Sequence, residues 1–261
     1  MPAINQHGPG AAQVEHFIER GYLRLDGAFG ADLATECRDI LWKAMGLSPD
    51  KPEGWTRPVV RLPFMAAPPF VAAANTPALH AAYDTLVGVD RWIAPAGLGT
   101  FPVRFPSPND PGDAGWHVDV SFGTDDPDFM QWRVNVKSRG RALLMLFLFS
   151  DVTEADGPTK IRAGSHLDIA RQLLPRGEDG MTLGELAADG FASTAHCDEA
   201  LATGEAGTVY LCHPFLVHSA QPNHAGRPRF MAQPPLLPRG DFDPALPPSP
   251  VQLAIRRACG L

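Results

Sequence analysis

The sequence predicts a mainly β fold with flanking helices (α+β): a jelly-roll, cupin-like core of two sheets with helices packed outside it. Helical patterns dominate the first ninety residues, and many short strand patterns follow with no helices alternating between them, which argues against a parallel βαβ sheet. The 25 glycines and 27 prolines suit strands joined by turns. A continuous apolar run, Arg141 to Ser150, reads as a strand buried on both faces.

The elements follow in order. Val14, Phe17 and Ile18 share one face of a short helix that Gly21 ends, and Tyr22 to Leu25 is a strand closed by the Asp26-Gly27 turn. Leu33, Cys37 and Leu41 mark a second helix stopped by Gly46. Residues 48–75, rich in proline and alanine, read as loop with a short strand at Val59 to Leu62. Thr76 then caps a helix that has Pro77 at its first position and runs to Gly88. Phe101, Val103 and Phe105 alternate with Pro102 and Arg104 as a half-buried strand would. Glu154 to Gly157 is a turn, and Lys160 to Ile161 begins a strand ending at Gly164 to His166. An inserted lobe at about 167–205 contains a Thr182 and Glu185 capping box. Thr208 to Leu211, Phe215 to Ser219 and Arg229 to Gln233 are three further strands of a core at 92–240, and the tail, 241–261, ends in a helix from Val251 to about Cys259.

With 44% apolar and 20% charged residues, the 261-residue chain can bury a substantial core. A net charge of −7 without a basic run argues against a grip on nucleic acid phosphate. The opening MPAINQHGPGAAQ has no basic start or apolar stretch of a secretory signal, and no run is long enough to span a bilayer. Cys37, Cys197, Cys212 and Cys259 form no Cys-x-x-Cys and read as free thiols in a reducing cytoplasm.

The chemistry centres on GWHVDVSF, Gly115 to Phe122. On an extended segment, His117 and Asp119 leave on the same face. One imidazole and one carboxylate are two thirds of a facial site for ferrous iron, which takes a second histidine and leaves positions open. The pair alone is unspecific, because a polar strand edge or an ordinary ion pair has the same spacing. His218, in HPFLVHSAQPN, is the third candidate; His213, at an odd offset, would point to the other face of a strand. Arg229 starts the next strand, eleven residues after His218. Taken alone it reads as a surface residue, yet its planar fork matches a carboxylate bidentately, as a dicarboxylate co-substrate chelating iron at its other end would require. Trp116, Phe122 and Trp132 flank the metal segment as candidate pocket walls, and His80, His166, His196 and His224 read as structural or surface residues.

His117, Asp119, His218 and Arg229, with DGPTKIRAGSH (Asp156 to His166), HPFLVHSAQPN and the opening FIERGYLRLDG (Phe17 to Gly27), resemble the phytanoyl-CoA dioxygenase family, non-haem iron enzymes that use 2-oxoglutarate. The resemblance covers nearly the whole chain, so it implies one dioxygenase domain over 1–261 with a double-stranded β-helix core. It implies that His117, Asp119 and His218 bind Fe(II), that Arg229 holds the distal carboxylate of 2-oxoglutarate, and that O2 takes the remaining position. Arg104, thirteen residues before His117, and Thr159 are implied as further contacts to the co-substrate. Many relatives carry a serine two residues after the distal histidine, where this chain has Ala220. Related halogenating enzymes replace the metal carboxylate with a small residue, so Asp119 argues for oxygen chemistry. The expected activity is oxidation of a small or mid-sized apolar metabolite, as in natural-product tailoring, by hydroxylation or else by ring closure, desaturation or epimerisation. The expected protein is a cytoplasmic monomer or homodimer acting on a small molecule, with no nucleic acid or membrane partner. Two other classes would reuse the ligands: a zinc or manganese cupin-like hydrolase or isomerase, which has no need of Arg229, and a non-catalytic metabolite- or metal-binding member.

Overall fold

The computed structural model describes residues 8–242 and 245–261; most of the opening read for a signal, and Asp243 and Pro244 of the tail, lie outside the described residues. Every strand pairing among the described residues is antiparallel, as a jelly roll built of hairpins requires.

The chain opens with α1 (Ala11–Arg20), β1 (Tyr22–Leu25) and α2 (Ala31–Met45), then β2 (Val59–Leu62), α3 (Pro68–Ala74) and α4 (Pro77–Leu86). The core follows with β3 (Phe101–Arg104), β4 (Arg133–Val134), β5 (Leu143–Leu148) and β6 (Lys160–Arg162). Next come α5 (Ser165–Leu173), β7 (Met181–Thr182), α6 (Leu183–Ala187) and β8 (Glu199–Leu201). The chain closes with β9 (Val209–Cys212), β10 (His218–Ser219), β11 (Met231–Ala232), β12 (Pro235–Leu236) and α7 (Pro250–Cys259).

Local chemistry explains several boundaries. Gly21 and Gly46 end α1 and α2 in the left-handed conformation, at φ 81° and 65°. The Thr76 hydroxyl accepts from the Leu79 amide to start α4. In contrast to the loop expected over 48–75, α3 is a helix. Pro68 and Pro69 sit in its first turn, where a missing N–H leaves nothing unpaired, and Phe70, Ala73 and Ala74 are buried. The strand expected to end at His166 gives way instead to α5 at Ser165. The expected strands at Phe215–Ser219 and Arg229–Gln233 contract to β10 and β11, with Arg229 in an isolated bridge before β11.

The larger sheet has the order β1-β9-β5-β11, with β12 also against β5; the smaller has the order β10-β6-β8. β5 runs through the centre of the larger sheet, buried on both faces as its composition predicted. Leu143, Met145 and Phe147 pack with the helices and outer aromatic rings, while Leu144, Leu146 and Leu148 pack inside the barrel with Ile161, Tyr210, Leu216 and Met231. An antiparallel bridge between His117 and His218 adds the His117 segment to the edge of the smaller sheet. No helix among the described residues is long and apolar enough to cross a membrane.

Candidate active site

Backbone pairing brings the two histidines together. His117 and His218 exchange amide hydrogen bonds of 3.0 and 2.9 Å, and their ring centroids lie 4.2 Å apart. Each Nδ1–H donates to a carbonyl two residues earlier, Gly115 at 2.9 Å for His117 and Leu216 at 3.0 Å for His218. That arrangement leaves both Nε2 lone pairs free and fixes the ring orientations, as metal-binding imidazoles require. Burial, followed by the nearby charge of His117, pushes the His218 pKa well down, which keeps its ring neutral at pH 7. Asp119 sits beside them with its Oδ1 3.9 Å from His218 Nε2. Burial alone would raise its pKa, but the charges of Arg141, His218 and His117 outweigh burial and lower it. One donor atom from each of His117, Asp119 and His218 lies within 4.8 Å of the others, so the three could hold one divalent cation.

Arg141 was not expected at this site. Its Nη1 lies 2.9 Å from Asp119 Oδ2, although neither Nη1 nor Nε makes an aligned hydrogen bond. In the sequence it only bounds an apolar run, and its partner is 22 residues away.

A cavity of about 760 Å³ opens over His117 and Asp119. Trp116, Val120, Met130, Trp132 and Leu183 form its apolar walls, with Arg141 and Asp113 as polar groups. Lys160 and Arg162 stack on the outer face of Trp116, at 4.6 and 4.2 Å from the ring centroid. Of the three expected aromatic walls, Phe122 is absent from the lining. Its backbone pairs with Arg133 and its ring carries Arg139 at 5.4 Å.

Arg104 and Arg229 occupy neighbouring buried positions, joined by an antiparallel backbone bridge. The half-buried strand expected at 101–105 is in fact covered on both faces, and Arg104 is only 2% exposed. Arg104 Nη2 donates to Asp113 Oδ2 at 2.6 Å, but its Nε and Nη1 have no partner. Arg229, 1% exposed, donates from Nη1 to the Gly157 carbonyl and more weakly, at 3.4 Å, from Nη2 to Pro102; its Nε has no partner. Burial, and then the charge of Arg104, pulls the Arg229 pKa down to about 9, which still leaves it charged at neutral pH. Arg104 has Asp113 as its counter-ion, whereas Arg229 contacts only carbonyl oxygens; a buried guanidinium without a counter-ion costs several kcal/mol, so Arg229 fits an incoming carboxylate. Neither arginine lines the cavity; Asp113, which also pairs with Arg61, forms the wall between. Thr159 is buried on the same side, its hydroxyl only 3.7 Å from the Met231 sulfur, a weak contact.

His213 takes no part in the cluster, although the reason is a turn rather than strand alternation. Its Nδ1 accepts from the Phe215 amide at 3.2 Å and its Nε2–H donates to Val251 at 3.3 Å. His166, 4.8 Å from His213 between ring centroids, donates from Nε2 to the Ile18 carbonyl at 3.0 Å, a structural role.

The sequence profile of the family described as phytanoyl-CoA dioxygenase (PhyH) matches residues 60–231. No curated protein matches the chain significantly. Among solved structures, the chain is similar to the non-heme alpha ketoglutarate dependent carbocyclase SnoK from nogalamycin biosynthesis (16% identity, TM-score 0.58, covering 88% of this chain and 83% of that one). It is also similar to HygX from Streptomyces hygroscopicus with nickel and 2-oxoglutarate bound (20% identity, TM-score 0.55, 87% and 86% covered). EctD from S. alaskensis with 2-oxoglutarate and 5-hydroxyectoine is a third (24% identity, TM-score 0.56, 90% and 78% covered). These likenesses show the jelly-roll fold, and the profile match shows descent. The chain belongs to the phytanoyl-CoA dioxygenase family of Fe(II)- and 2-oxoglutarate-dependent oxygenases.

Proposed function

We propose that His117, Asp119 and His218 hold Fe(II), and that Arg229, assisted by Arg104 and Thr159, receives the distal carboxylate of 2-oxoglutarate. The observation that carries this reading is the convergence of two imidazoles and one carboxylate, with donor atoms within 4.8 Å of one another, at a cavity that His117 and Asp119 line. When bound, Fe(II) with 2-oxoglutarate and O2 supplies the oxidising power to remove hydrogen from an unactivated C–H bond.

The residues of this chain bind, orient and exclude water. Arg141 holds one oxygen of Asp119 and so turns the other toward the imidazoles. The unpartnered N–H groups of Arg104 and Arg229 hold the co-substrate end-on, with Thr159 standing in for the serine replaced by Ala220. Trp116, Met130, Trp132 and Leu183 provide an apolar surface that fits a mid-sized, mainly apolar metabolite and keeps water from the reacting carbon.

Hydroxylation is the proposed outcome, in a natural-product tailoring step. Ring closure is the second reading, since the carbocyclase SnoK shares the fold. A zinc or manganese hydrolase on the same ligands would leave the two buried guanidinium groups without a purpose. The net charge of −7 supports a free small-molecule substrate rather than nucleic acid, and we take the protein to be a cytoplasmic monomer or homodimer.

Iron-dependent conversion of 2-oxoglutarate to succinate, screened across candidate metabolites, tests this function. Turnover should vanish in His218→Ala and become undetectable at ordinary co-substrate concentrations in Arg229→Ala. Full turnover in either variant would reject the assignment.

A further inference from the structure

A second group of metal-binding side chains lies outside this site. Asp168 on α5 meets His196 and Cys197, which lie in the turn before β8. Asp168 Oδ2 is 3.6 Å from His196 Nε2 and 3.8 Å from Cys197 Sγ, and the Sγ to Nε2 distance is also 3.8 Å. A tetrahedral zinc with bonds of about 2.0–2.3 Å separates its ligands by roughly 3.3–3.6 Å. All three edges of this triangle therefore come within a few tenths of an ångström of one face of a zinc tetrahedron.

The other oxygen of Asp168 is already engaged. Arg171 Nη1 donates to Oδ1 at 2.7 Å, which leaves Oδ2 facing the thiol and the imidazole. Structural and catalytic zinc ligands are oriented in this way by outer hydrogen bonds. Nearby cationic groups have partners of their own: Arg20 pairs with Asp198 at 2.9 Å, and Arg162 donates to Phe191 and Thr194 at 2.9 and 2.8 Å.

We propose that Asp168, His196 and Cys197 form a zinc site with its fourth position open to water. The ion would tie α5 to the start of β8. β8 pairs with β6, whose Arg162 stacks on Trp116 beside His117. Zinc would thus brace the lobe that supports the cavity wall. Burial, and then Asp168, holds the Cys197 thiol up to about 11, so binding displaces that proton to solvent and tightens as pH rises.

Cobalt(II) added to metal-free full-length protein tests the site, because the iron site contains no sulfur and only a thiolate gives a near-ultraviolet sulfur-to-cobalt band. The band should appear within two equivalents in the wild type, where the iron site also takes cobalt, and at one equivalent in His117→Ala, disappear on addition of zinc and be absent from Cys197→Ser. Asp168→Asn should weaken cobalt binding at least tenfold. With the iron site removed, zinc should raise the thermal midpoint of His117→Ala and not of His117→Ala/Cys197→Ser. No sulfur band in the wild type, or a band that survives Cys197→Ser, overturns the proposal and leaves the iron assignment untouched.

Discussion

Arg141 Nη1 lies 2.9 Å from Asp119 Oδ2, and this ion pair turns the opposite carboxylate oxygen toward His218. Removing a group that orients a metal ligand typically costs 10–100-fold in affinity. Arg141→Ala is therefore expected to weaken Fe(II) binding by about tenfold to a hundredfold, read by competition against a chelator under anaerobic conditions. Unchanged affinity would show that Asp119 is placed by the backbone alone.

The buried arginine pair gives a second expectation. Arg229→Ala should lower 2-oxoglutarate affinity by about a hundredfold, roughly 3 kcal/mol, the scale of losing one partner of a buried charge pair. Calorimetry on the nickel-loaded protein reads this directly. Arg229→Lys should recover part of the loss, since it keeps the charge but not the fork. Equal binding by all three proteins would mean the dicarboxylate sits elsewhere.

How much of this was legible in the sequence differs from residue to residue. The two-faced burial of β5 followed from its composition, because an uninterrupted apolar run leaves no polar face to solvate. The His117, Asp119 and His218 grouping could be named because spacing and residue chemistry restrict the candidates. Arg141 and Asp113 could not, since each acts through a partner that only tertiary packing brings close. Arg104 was named, but alternation placed it on a solvated face, which the Arg229 bridge and the Asp113 loop in fact cover. α3 was missed because its prolines were read as breakers, when in a first turn they start a helix.

His166 makes stability pH-dependent. It is neutral in the fold, where burial pushes its pKa from 6.5 down to about 4. Between those values the unfolded chain binds more protons, so stability falls as pH drops from 6.5 to 4, by about 3 kcal/mol for this group, and levels off below. His213 is lowered by burial as well and acts in the same direction. Urea midpoints at pH 7 and 4.5, compared with those of His166→Gln, check this: the variant should lose less stability in acid. Parallel losses would place the sensitivity in other groups.

Gly21 joins α1 to β1 where no other residue fits. Its φ is +81°, and an added Cβ would lie 2.5 Å from His166 Nδ1 and 2.7 Å from Leu216 Cδ1. Left-handed strain and overpacking together should make Gly21→Ala less stable by about 3 kcal/mol, seen as a lowered denaturation midpoint. A variant as stable as the wild type would mean that His166 can move aside.

The choice between the two late histidines bears most directly on the account. Anaerobic protein given Fe(II) and 2-oxoglutarate should show the visible charge-transfer band of a metal-chelated co-substrate, in the wild type and in folded His213→Ala but not in His218→Ala. A band that survives His218→Ala, or one lost in folded His213→Ala, would contradict the proposed metal centre.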